Sequence, residues 1–78
     1  MVSWEAIQIV YKQIGLRIRS IRETLGVTQS ELAERVGLTR TSIVNIEAGR
    51  QRILLHDVEL LAKGLTVSAK HLLRGIWI

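Results

Sequence analysis

The sequence predicts an all-α fold, a compact bundle of five short helices, and three observations lead there. Apolar residues recur three and four positions apart along most of the chain, the spacing of a helix face rather than a strand. Proline is absent, and Gly26, Gly37, Gly49 and Gly75 each follow such a run, where a helix would end. Capping residues (Thr28, Thr39, Asp57 and Ser68) stand just ahead of the later runs. With 78 residues there is room for one domain and a small core. Cysteine is absent, which excludes disulfides, thiolate metal sites and a Cys nucleophile. Eleven Lys and Arg against seven Asp and Glu give a net charge of +4, which is compatible with nucleic acid but does not define it.

The first helix is expected along a stripe of Trp4, Ile7, Tyr11, Ile14, Ile18, Ile21 and Leu25. Gly15 interrupts it at about 1 kcal/mol relative to Ala, so a break is allowed for there, and Gly26 closes it. Thr28-Gln29-Ser30-Glu31 is a capping box for a second helix with Leu32, Ala33 and Val36 on its buried face, stopped by Gly37. Thr39 caps a third helix that runs to Glu47 or Ala48 before Gly49. Arg50 to Leu55 is a connection. Asp57 is expected to cap a fourth helix built on Val58, Leu61 and Leu65, and Ser68 a fifth through Leu72 and Leu73, closed by Gly75.

Residues Thr28 to Gly49 hold the pattern that carries function. Two short helices crossing steeply through a tight turn need a small residue at their approach, which Ala33 supplies, and a turn residue tolerant of positive φ, which Gly37 supplies. Ile43 and Ile46 then lock the second of them inward. On these residues, with Thr39-Arg40-Thr41-Ser42-Ile43 and Ile46-Glu47-Ala48-Gly49, the chain resembles the phage-repressor/Cro-type (XRE-like) helix-turn-helix family. The likeness extends over about residues 15–75, with 1–14 as a helical extension of the same single domain. It implies a phage-repressor-like DNA-binding bundle with its helix-turn-helix at helices two and three.

On a helical wheel the third helix turns Ile43 and Ile46 inward and Thr41, Val44, Asn45 and Ala48 outward, with Arg40 on the flank of the first turn. Side chains there meet base edges in the major groove of a helix-turn-helix complex. Arg40 suits guanine O6/N7, Asn45 adenine N6/N7, and Thr41 or Val44 a thymine methyl. Gln29 sits at a helix N-terminus that favours an anion. The resemblance implies DNA-backbone contacts by Gln29, Arg50 and Arg52, to which Ser42 can add a hydroxyl. It also implies a structural ion pair between Arg22 and Glu47, whose carboxylate lies between the inner face and the flank.

The apolar residues at both ends leave two readings open. Trp4, Ile7, Tyr11, Leu73, Ile76 and Trp77 either fold over the chain's own core or form a homodimer interface, and the dimer is the favoured reading. A dimer would present two recognition helices about 34 Å apart on a palindromic operator. Gly64 and Thr66 depart from the family, which more often has alanine and glycine there, so a looser turn into the fifth helix is expected.

The function expected is a sequence-specific transcriptional regulator of double-stranded DNA, a repressor by preference. The alternative is an antitoxin or restriction-modification controller of the same fold, with a toxin or co-regulator as protein partner. No residue cluster suggests catalysis, a cofactor or a metal, and no run suggests a membrane span, so a cytoplasmic non-enzyme is expected.

Overall fold

All five expected helices form. The computed structural model describes residues 3–76 and gives α1 (Trp4–Thr24), α2 (Gln29–Val36), α3 (Arg40–Glu47), α4 (Leu55–Gly64) and α5 (Ala69–Leu73). Ser3 caps α1 by accepting the Ala6 N–H at 3.3 Å. The break allowed for at Gly15 does not occur: α1 runs unbroken for 21 residues. Gly15 is there for space. A Cβ on it would meet the Ile46 carbonyl oxygen and lie 2.6 Å from that of Glu47, so the backbones of α1 and α3 touch at this point. Leu25, expected at the end of the buried stripe, is 42% exposed because the helix stops at Thr24. Arg22 is buried instead.

The core gathers one or more residues from every helix. Ile18 of α1, Leu32 of α2, Ile43 and Ile46 of α3, Leu61 of α4 and Leu72 of α5 are fully buried, with Leu65 just beyond α4. Burying each such side chain contributes about 1.5–3 kcal/mol. Val27 and Ile53, in the connections on either side of the α2–α3 unit, are buried as well and pin it at both ends. Helix α1 packs on α3 and α5, α2 on α3 and α4, and α4 on α5.

Two expectations about the second half are corrected. Asp57 is not the cap of α4: the helix starts at Leu55, Leu54 is its N-cap without a side-chain bond, and Asp57 lies in the first turn, where its charge favours the helix dipole. Nor is the turn into α5 loose. Val67 N–H donates to the Ala62 carbonyl at 2.9 Å and Thr66 N–H to that of Lys63 at 3.1 Å, a regular Schellman closure. The closure needs a left-handed residue, and Thr66 adopts φ 58° where glycine would be unstrained. At Gly64 a Cβ would lie 2.6 Å from Val36 Cγ1, so the missing side chain lets α4 approach α2.

Candidate nucleic-acid interface

The α2–α3 unit is built by local chemistry. Thr28 Oγ1 accepts the Glu31 N–H at 3.0 Å and Glu31 Oε1 accepts the Thr28 N–H at 3.1 Å, the reciprocal capping box expected. The Thr28 backbone N–H, and after it the Thr28 hydroxyl beside the carboxyl, hold the Glu31 carboxyl below its ordinary range. Gly37 ends α2 at φ 74°, and Thr39 Oγ1 caps α3 by accepting the Ser42 N–H at 3.1 Å. Ile43 and Ile46 then face the core. The opposite strip carries Arg40 and Thr41, both exposed, with Val44 and Asn45 one turn on and half-buried. The four predicted base-reading residues therefore occupy one side of α3.

Beneath that strip sits a buried ion pair. Arg22 Nε donates to Glu47 Oε2 at 2.6 Å, Nη2 to Oε1 at 3.0 Å, and Nη1 to the Val27 carbonyl at 2.9 Å. The Glu47 bond holds the guanidinium protonated even more firmly than usual, against the opposing effect of burial. The pair ties α1 to the end of α3, so Arg22 adds no positive charge to the surface.

The predicted phosphate ligands surround α3, and each already has an intramolecular partner. Gln29 Nε2 donates to Glu47 Oε1 at 3.1 Å, extending the buried pair to the head of α2. Ser42 Oγ accepts the Thr39 hydroxyl at 3.2 Å. Arg50 Nε donates to Asn45 Oδ1 at 3.3 Å, leaving its two terminal amino groups outward. The Arg52 guanidinium lies over the Trp4 ring, 4.9 Å from its centroid. Apart from the Ser42–Thr39 contact, three positions apart, these ties are not visible in the sequence, because the partners stand 5 to 48 positions apart and only folding juxtaposes them. Two structural cations are equally hidden. Arg17 donates to the His71 and Arg74 carbonyls at 3.0 and 2.9 Å, and Arg35 to that of Gly64 at 3.0 Å, each at a helix C-terminus.

The proposed dimer residues divide. The Trp4 and Tyr11 rings lie tilted against each other, with centroids 5.9 Å apart, and Tyr11 and Ile76 pack against the chain's own core. Ile7 is half-buried. Leu73 is 36% exposed on α5, while Leu55 at the start of α4, not singled out in the sequence, is 83% exposed nearby, and its N-cap Leu54 is 59% exposed. Trp77 lies outside the described residues. Among the described residues no helix is long and apolar enough to cross a membrane.

A capped helix, a left-handed glycine turn and a second capped helix with a polar outer strip define a helix-turn-helix DNA-binding fold. The family model for the helix-turn-helix matches residues 18–72, and the chain belongs to that family, in its XRE-type branch. It is 61% identical over 44 residues to an uncharacterized HTH-type transcriptional regulator of Methanothermobacter thermautotrophicus, over 53% of this chain and 64% of the relative. The structure is similar to the restriction-modification controller protein C.AhdI from Aeromonas hydrophila, with TM-score 0.78 and 29% identity over 80% of this chain and 94% of that one. It is also similar to the controller C.Esp1396I, solved as a tetramer with its natural 35 base-pair operator, with TM-score 0.75 and 33% identity over 81% and 83%. Family and fold are those of DNA-binding transcription regulators.

Proposed function

We propose that the chain is a sequence-specific regulator of transcription, without catalytic activity, that seats α3 in the major groove of double-stranded DNA. The observation carrying this is the outward strip of Arg40, Thr41, Val44 and Asn45 on a helix fixed from behind by Ile43, Ile46 and the Arg22–Glu47 pair. Arg40 reads guanine, Asn45 adenine, and Thr41 and Val44 a thymine methyl. Asn45 Oδ1 accepts from Arg50 Nε and keeps a second lone pair for an adenine amino group, while Nδ2 donates to N7. Gln29, Ser42, Arg50 and Arg52 hold the backbone around it.

The protein acts as a homodimer on an inverted repeat, with the exposed leucines of α4 and α5, Leu73 among them, as the better-supported contact. Trp4, Tyr11 and Ile76 are engaged within their own chain. Repression by occupancy of a promoter is the simplest consequence of such binding. The similarity to two restriction-modification controllers favours an autoregulatory role of that kind over an antitoxin. Selection of binding sites from random duplexes at fixed salt tests the proposal. An enriched inverted repeat is expected, and enrichment of no sequence refutes base readout. Sedimentation of Leu55→Glu beside wild type tests the dimer: the wild type should sediment as a dimer and the variant as a monomer.

A further inference from the structure

The first three turns of α1 precede the family match, which begins at residue 18, yet they touch the segment after α3 at three places. Gln8 Nε2 donates to the Gly49 carbonyl at 3.2 Å. Gly49, at φ 72°, lies directly on α1, where a Cβ would stand 2.7 Å from the Lys12 Cα and 2.9 Å from its nitrogen. Arg52 stacks on Trp4, whose ring is braced by Tyr11. Trp4, Gln8 and Lys12 are four residues apart and so share one face of α1. Beyond Arg52 the chain is anchored again by buried Ile53.

We propose that this N-terminal extension is a positioning strut for the DNA-contacting segment, in which Trp4 holds the Arg52 guanidinium in place for a phosphate while Gln8 and Lys12 fix Gly49 beside it. The inference rests on the reading of Arg52 as a backbone ligand. Stacking suits that role, because a guanidinium lying over a ring keeps its N–H donors in its own plane and available at its edge. Residues 50–54 belong to no helix, so an arginine there has no element of its own to order it. The attraction between ring and cation exists before and after DNA binds and cancels from the affinity. What Trp4 contributes is the ordering of a long side chain in advance, about a two- to tenfold gain in affinity.

The test is a binding cycle on a labelled mixed-sequence duplex of about three helical turns, across a salt series, with wild type, Trp4→Leu, Trp4→Phe, Arg52→Gln and the Trp4→Leu/Arg52→Gln double variant. Trp4→Leu should weaken binding about two- to tenfold with an unchanged salt slope, while Trp4→Phe keeps most of the affinity. Arg52→Gln should weaken binding and lower the slope by about 0.9. In the Arg52→Gln background, Trp4→Leu should have no further effect, which a general loss of folding would not reproduce. An equal effect of Trp4→Leu in both backgrounds, no effect, or tighter binding overturns the strut with the phosphate reading of Arg52 intact. An Arg52→Gln variant with wild-type affinity and slope overturns that reading and the strut together.

Discussion

Gly15→Ala sets two principles against each other. In an exposed helix interior, alanine in place of glycine is worth about 1 kcal/mol of added stability. Here the new Cβ would lie 2.6 Å from the Glu47 carbonyl oxygen and closer still to that of Ile46, where side-chain carbons do not approach within 3.0 Å. Both obstacles are backbone atoms of α3 and cannot rotate aside. The helices must therefore separate by at least about 0.4 Å, opening the contact that Ile18, Ile43 and Ile46 fill. Overpacking of this kind costs about 1–3 kcal/mol, and rigid neighbours put it at the upper end. Net of the propensity gain, the variant should lose about 2 kcal/mol. For a domain of this size that lowers Tm by about 8–16 °C. Thermal unfolding by circular dichroism reads the shift. Ser20→Ala, exposed on the same helix, is the control and should gain up to about 0.5 kcal/mol. A Gly15→Ala Tm equal to or above wild type would refute the close α1–α3 contact.

Three further predictions follow from the fold. Glu47→Ala strands a buried guanidinium and should cost about 3–5 kcal/mol, much of the stability of a small domain, so urea unfolding should show a largely unfolded protein. Thr66→Gly relieves a left-handed threonine and should raise stability by about 0.5–1 kcal/mol in the same assay; a loss would show that the Thr66 hydroxyl bond to the Leu65 carbonyl outweighs the strain. Glu31 titrates below its ordinary value of 4.5 in the folded state, so its contribution is present above that pH and lost as pH falls through the lowered value. Carboxyl NMR should follow that titration directly, and Glu31→Gln should lose less stability than wild type as pH falls below about 4.5.

What could be read in the sequence was what local spacing encodes. The Thr28–Glu31 box, the Thr39 and Ser68 caps and the glycine stops each depend on residues a few positions apart, and all formed where expected. The Arg22–Glu47 pair spans 25 positions, and only the family resemblance joins its two residues. Tertiary contact supplied the rest. Gly15 reads as a weak point by propensity and proves to be a contact point. Asp57 reads as a cap, yet α4 begins two residues earlier. The apolar N-terminal stripe leaves a core-facing and a subunit reading open, and in the fold Tyr11 packs partly buried against the core while Trp4 lies under Arg52. The most exposed leucine, Leu55, carries no periodicity that would have marked it.

Base readout by α3 rests on its outer strip, Arg40 to Asn45. Binding-site selection with Asn45→Ala beside wild type tests it most directly. The variant should lose preference at a symmetry-related adenine, about 1–3 kcal/mol of discrimination, while its affinity for mixed-sequence DNA is kept. A variant that selects the same motif with the same strength at every position would contradict it.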